Sequence, residues 1–239
     1  MILKSYLPLI GFPPSGARGL IMKTAYIVKA YRTAVGKAPK GVFRFKRPDE
    51  LAAETIQFMM DELPDFDKTR IDDVMVGNAM PEAEQGLNVA RLISLMGLKV
   101  EDVPGVTVNR YCASGLETIG MATAKIQSGM ASCIIAGGAE SMSFIPMGGY
   151  KPTPDYAVAK AGNEDYYWGM GLTAEAVAQQ FKVSRDDQDE FAYHSHMKAL
   201  KAQAEGKFDK QIVPISVEQT FINEKGKKET KSYTVNKDE

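Results

Sequence analysis

The chain has 239 residues, 44% of them hydrophobic and 25% charged, enough to bury a sizeable core in one or two domains. A formal net charge of −1 gives no global basic field for nucleic acid. No apolar run approaches the ~18 residues that a membrane span requires, so neither a nucleic-acid nor a membrane partner is expected.

The first 21 residues carry a short apolar run broken by Pro8 and followed by Pro13 and Pro14, a poor match to a signal peptide. Met22 precedes a clean strand pattern and is read as the true start, which leaves residues 1–21 as a non-native or disordered extension without a part in the fold. Ala25–Ala30 reads as a strand of β-branched and aromatic residues. Residues 32–47 read as a loop. Asp49 is the expected N-cap of a helix whose Leu51, Ile56, Met59 and Leu63 share one face, ended by Pro64.

Asp73–Gly77 reads as a second strand, and residues 85–96 as a helix stopped by Gly97. Pro104–Val108 is a third strand and Ser114–Ser128 a third helix. Ser132–Ala136 is nearly all apolar, as a strand buried on both faces must be. The order βαβαβαβ implies a mostly parallel sheet with right-handed crossovers. Residues 146–169 are rich in Pro, Gly, Tyr and Met and show no period, so they read as an extended excursion. Thr173 is the expected cap of the next helix. Ser184 with Asp187 opens another in the manner of a capping box, ending at Gly206. Two strands around a Lys- and Gly-rich turn close the chain.

The lysine and arginine clusters at 37–47 and 225–231 read as solvated surface. The two histidines, His194 and His196, stand at i and i+2, which do not share a helix face, so no metal pair is expected. The two cysteines, Cys112 and Cys133, lack paired spacing and fit a reducing, cytoplasmic compartment. Cys133 lies inside an apolar strand and reads as structural.

Cys112 has a different setting. It directly follows a buried strand and precedes a helix by two residues, so it belongs at the C-terminal edge of a parallel sheet, where α/β folds place their sites. Free N–H groups of a helix N-terminus favour a thiolate. A nucleophile and a small buried thiol are both compatible with these residues. Gly137-Gly138-Ala-Glu140 reads as a tight glycine turn, and Glu140 as a residue that can orient neighbours by hydrogen bonds. It is not a dinucleotide fingerprint, and nothing points to a nicotinamide site. Trp168-Gly-Met-Gly171 fits an apolar ligand surface or ordinary packing.

Several of these segments resemble one family in collinear order over residues 22–239. Val108-Asn-Arg-Tyr-Cys-Ala-Ser-Gly-Leu116 resembles the nucleophile motif of thiolases. Tyr26–Gly36, Gly86–Arg91, Ala136–Met142, Met170–Glu175 and the helix from Asp186 to His196 are similar to further thiolase segments. The resemblance implies a duplicated α/β core with an inserted loop domain, of which this chain holds an incomplete first half (22–142) and an incomplete loop domain (143–239). It implies thiolytic cleavage of 3-ketoacyl-CoA, with Cys112 as the acyl-accepting nucleophile and Met170 lining the acyl-CoA site.

Coenzyme A would be a co-substrate, with no permanently bound cofactor and no metal. The family's acid and second cysteine lie late in its chain. No cysteine follows Cys133 here and no histidine follows His196, so the chain is expected to be an inactive truncation with an exposed apolar sheet face. A homodimer or homotetramer is implied for the full length, with a multienzyme partner of fatty-acid β-oxidation as a further implied association. Short-chain members carry His where Gly169 stands, which favours the degradative 3-ketoacyl-CoA type. Competing readings are an acetoacetyl-CoA-forming acetyltransferase, a ketoacyl-synthase-like condensing enzyme and a non-catalytic CoA-thioester-binding relative.

Overall fold

The computed structural model describes residues 2–6 and 23–239. Its elements are β1 (Ile2–Tyr6), β2 (Thr24–Lys29), α1 (Pro48–Asp61), β3 (Asp73–Gly77), α2 (Val89–Leu98), β4 (Gly105–Val108), α3 (Ser114–Gln127), β5 (Cys133–Gly138), α4 (Tyr156–Lys160), α5 (Met170–Phe181), α6 (Arg185–Ala204), β6 (Ile215–Ile222) and β7 (Lys228–Val235). Of the described residues, one compact unit comprises 2–6, 23–150 and 211–239, and a second comprises 151–210.

Alternation along β3 and β5 builds the first unit. Val74, Val76, Cys133 and Ile135 point to one face and pack with Ile56, Met59, Val89, Ile93 and Leu98 from α1 and α2. Met75, Ile134 and Ala136 point to the other face and pack with Ala122 and Ile126 of α3. Both faces of these strands are thereby dry, which is why their sequences are continuous apolar runs rather than alternating ones. Each such large side chain contributes roughly 1.5–3 kcal/mol on burial. The carboxylate of Asp72 marks the start of this layer. Burial pushes its pKa up, but the N–H groups of Ser132 and Cys133 and the Ser132 hydroxyl outweigh this and hold it below the usual range.

The sheet order is β2-β1-β5-β3-β4, with β3 parallel to both β4 and β5, as the βαβαβαβ pattern implies. The expectation that residues 1–21 take no part in the fold is corrected for Ile2–Tyr6. This segment lies between β2 and β5 and runs antiparallel to both. The two strands do not bond to each other, and their facing N–H and C=O groups need a partner that an extended segment supplies. The remainder of the expected extension, and Met22 as a start, lie outside the described residues.

The register makes this placement testable, because Lys4 stands opposite Cys133. Opposite residues in an antiparallel pair have Cα atoms roughly 4.5–5.5 Å apart, within disulfide range. The Lys4→Cys variant is expected to form an intramolecular 4–133 disulfide under mild oxidation, read by peptide mass mapping. Pairing of the new thiol only with Cys112, or none at all, would show the strand to lie elsewhere.

Several local expectations shift for identifiable reasons. Arg47 rather than Asp49 caps α1, because Pro48 suits the first helical position. Asp49 is buried and instead accepts the Arg47 guanidinium. Gly97 does not stop α2. It lies within the helix, where an added Cβ would come 3.0 Å from the Ile56 side chain, and Lys99 makes the left-handed cap at φ 58°. The helix begins at Val89 rather than Gln85, and a separate 3-10 turn, Ala83–Gln85, precedes it.

In the second unit Gly169, not Thr173, caps α5. The excursion expected to be irregular contains α4, capped by the Asp155 side chain, and a 3-10 turn, Glu164–Tyr167. The capping box of Ser184 and Asp187 is present as anticipated. Residues 211–239 belong to the first unit, where the Val213 N–H donates to Arg32 O and the Arg32 guanidinium pairs with Asp238. Among the described residues no helix is long and apolar enough to cross a membrane.

Candidate active site

The C-terminal ends of β3, β4 and β5 lie side by side, because Gly77 pairs with both Val108 and Gly138. Beyond β4 the chain makes a tight turn before α3 begins. Asn109 Oδ1 accepts the Tyr111 N–H at 2.9 Å, an Asx turn that Asn forms readily. Tyr111 takes φ 49°, the left-handed region, which is strained for a bulky side chain. The Ala113 N–H then bonds Arg110 O and the Ser114 N–H bonds Tyr111 O.

Ser114 clasps this turn from the first residue of α3. Its hydroxyl accepts from the Arg110 N–H at 2.8 Å and donates to Tyr111 O at 2.5 Å. Cys112 sits at the crest of the turn and is exposed. One residue, Ala113, separates it from the first residue of α3, and a helix N-terminus carries a positive partial charge. Arg110 pairs with Glu117 at 2.9 Å on the same surface. The arrangement can present a sulfur nucleophile to a ligand arriving from solvent.

Gly77 is what lets α3 approach so closely. A Cβ there would stand 2.5 Å from the Gly115 nitrogen and would also collide with the Ser114 carbonyl. The Thr118 hydroxyl ties α3 to β5 through Gly137 O at 2.9 Å.

Beside the turn lies a polar cluster. Glu140 accepts from the Ala79 N–H at 2.6 Å, from Gln85 Nε2 at 2.7 Å and from Asn78 Nδ2 at 3.3 Å. Asn78 and Gln85 are fully buried, and Asn78 Oδ1 has no hydrogen-bond partner among the described residues. Asn109 Nδ2 donates to Ala79 O at 3.1 Å. A cavity of about 700 Å³ on the first unit is lined by Tyr31, Ala34, Phe43, Ile56, Ala136 and Glu140 among others, and Cys112 is not part of its lining.

Sequence reasoning singled out Cys112, Met170 and Glu140. Cys112 and Glu140 belong to the first unit. Met170 belongs to the second, as the first residue of α5 and 61% exposed. That unit has a hollow of about 810 Å³ lined by Trp168, Leu172, Gln179 and Val183 among others, and Met170 is not in its lining. Cys133 is buried within β5, as its apolar neighbours implied. The contributions of Asn78, Gln85, Asn109 and Ser114 were missed. An Asn directly after a buried strand and a Ser two residues after Cys112 were the available signals.

Residues 25–239 match the family model described as the thiolase N-terminal domain. The 3-ketoacyl-CoA thiolase of Bacillus subtilis is 48% identical over 218 residues, which cover 91% of this chain and 55% of that protein. The β-ketoadipyl-CoA thiolase of Acinetobacter baylyi is 40% identical over 214 residues, covering 83% and 53%. Among solved structures, the acetyl-CoA acetyltransferase of Bacillus anthracis aligns with a TM-score of 0.74 at 29% identity, over 92% of this chain and 56% of that one. The chain spans about half the length of the curated relatives it matches.

Proposed function

From the chain's membership of the thiolase family, we propose that it supplies the acyl-accepting half of a 3-ketoacyl-CoA thiolase, with Cys112 as the nucleophile and coenzyme A as co-substrate. The observation that carries this reading is the placement of Cys112, exposed on a clasped turn between the end of β4 and the start of α3.

The chemistry follows from the sulfur. The Cys112 thiolate adds to the 3-keto carbon, and the bond between the second and third carbons breaks. Its electron pair leaves with acetyl-CoA as an enolate, which must take up a proton. The shortened acyl group remains on Cys112 as a thioester. A coenzyme A thiolate then attacks that thioester, and the Cys112 sulfur is expelled. Proton delivery to the enolate needs an acid and an oxyanion site near the leaving group. Cys133 is buried in β5 and cannot serve.

Met170 belongs to this proposal as an apolar contact for the acyl-CoA. Its exposure leaves a soft, adaptable side chain available. A degradative role in fatty-acid oxidation is preferred over acetoacetyl-CoA formation because Gly169 precedes Met170. The structural likeness to an acetyl-CoA acetyltransferase keeps the synthetic direction as the second reading.

Incubating the chain with excess hexanoyl-CoA or acetyl-CoA tests the proposal. Intact-mass and peptide analysis is expected to show one acyl group on Cys112 and an equivalent of free coenzyme A. Acylation at random lysines, or none at Cys112, would sink it. Faster transfer from acetyl-CoA than from hexanoyl-CoA would favour the second reading.

A further inference from the structure

We infer that Glu140 is a positioning residue for the Cys112 turn, acting through Ala79 and Asn109, an inference that rests on Cys112 being the nucleophile. The connection is short and every link is a hydrogen bond. Glu140 Oε2 accepts from the Ala79 N–H at 2.6 Å. The carbonyl of the same residue, Ala79, accepts from Asn109 Nδ2 at 3.1 Å. Asn109 Oδ1 in turn accepts from the Tyr111 N–H at 2.9 Å, one residue before Cys112.

Two further observations show that the carboxylate is held rather than incidental. Its second oxygen accepts from Gln85 Nε2 at 2.7 Å, and Gln85 is fully buried. Gln85 Oε1 itself accepts from the Ser141 N–H at 2.5 Å, next to Glu140. The carboxylate thus fastens the segment leaving β3 to the segment leaving β5, two elements flanking the sheet edge on which the nucleophile turn rides. The turn needs such an anchor. A tyrosine in the left-handed region is strained and persists only where its surroundings over-determine it.

The direction of the effect separates positioning from charge. A carboxylate acting on Cys112 through space would oppose thiolate formation, so removing its charge would speed alkylation. Positioning predicts the reverse. Glu140→Gln replaces one acceptor oxygen by an amide NH₂, which must face either the Ala79 N–H or the Gln85 amide as donor against donor. The turn that carries Cys112 then loosens.

The experiment is the pH profile of Cys112 alkylation by iodoacetamide on the full chain, for wild type, Glu140→Gln, Asn109→Ala and the double variant. Glu140→Gln is expected to slow alkylation about tenfold at pH 7. Asn109→Ala is expected to do the same. The double variant is expected to be no slower than either single, because both cut one connection. Unchanged or faster alkylation in Glu140→Gln would overturn the inference, and so would additive effects. Ile126→Val, a core change on the far part of α3, controls for general loosening. Equal slowing there at a matched melting temperature would also overturn the inference. A wild-type Cys112 that does not alkylate while folded would instead bring down the functional reading on which the inference rests.

Discussion

Cys112→Ala is expected to end covalent acylation of the chain. It should also lower acyl exchange between CoA molecules by on the order of 10³-fold or more, because a two-step transfer loses its intermediate. The melting temperature should stay within about a degree, since deleting an exposed thiol leaves no cavity and strands no buried polar group. Cys133→Ala is the mirror experiment. That side chain is 2% exposed and packs with Val74 and Val76, so its loss costs stability but leaves acylation intact. Mass analysis after incubation with acyl-CoA, set beside thermal melts, reads both outcomes. Undiminished exchange in Cys112→Ala would mean that another group carries the acyl chain.

The second large effect belongs to a glycine. Gly77→Ala is expected to destabilise the chain by roughly 1–3 kcal/mol, the usual cost of forcing extra volume into a packed contact. That corresponds to a fall in melting temperature of several degrees for a chain of this size. The clash is with backbone, the Ser114 carbonyl and the Gly115 nitrogen, so no side chain can rotate away to relieve it. Only a shift of the first turn of α3 can, and that turn carries the Ser114 clasp on Cys112. Alkylation of Cys112 should therefore slow in the same variant. Gly120→Ala, further along α3, has open space around its Cβ position and should raise stability by about 0.5–1 kcal/mol on helix propensity alone. Equal melting temperatures for the two alanine variants would refute the account.

The sheet was legible in the sequence where its chemistry is local. Asp73–Gly77 and Cys133–Gly138 are short apolar runs that end in glycine, and their length suits strands buried on both sides. Cys112 was placed by order alone, because strand, turn and helix succeed one another within ten residues. The holding network was not legible. Glu140 bonds to Ala79 and Gln85 across gaps of more than fifty residues, and such pairings leave no period in the sequence. Tyr111 gave no sign of its left-handed backbone, since Asn and Gly are the residues that usually mark one. Gly97 misled for a related reason. Glycine after an apolar face reads as a helix stop, but here it serves the contact of α2 with Ile56. The strand Ile2–Tyr6 was missed because its pairing is non-local and Met22, ahead of a clean strand pattern, reads as the start.

That inserted strand also sets a timetable. Ile2 pairs with Lys29 on one side and with Ile135 on the other, a span of about 130 residues. As the polypeptide emerges from the ribosome, β1 and β2 can meet early as an isolated ribbon, which is marginal alone in water. Its other edge stays uncovered until β5 has been made, and only then does the sheet become continuous. Contacts of such long sequence separation are slow to form, and an edge left open in the interval is open to pairing between neighbouring nascent chains. Yield of soluble protein should therefore depend on how quickly residues 30–132 are synthesised and sheltered, more than on the final strength of the fold.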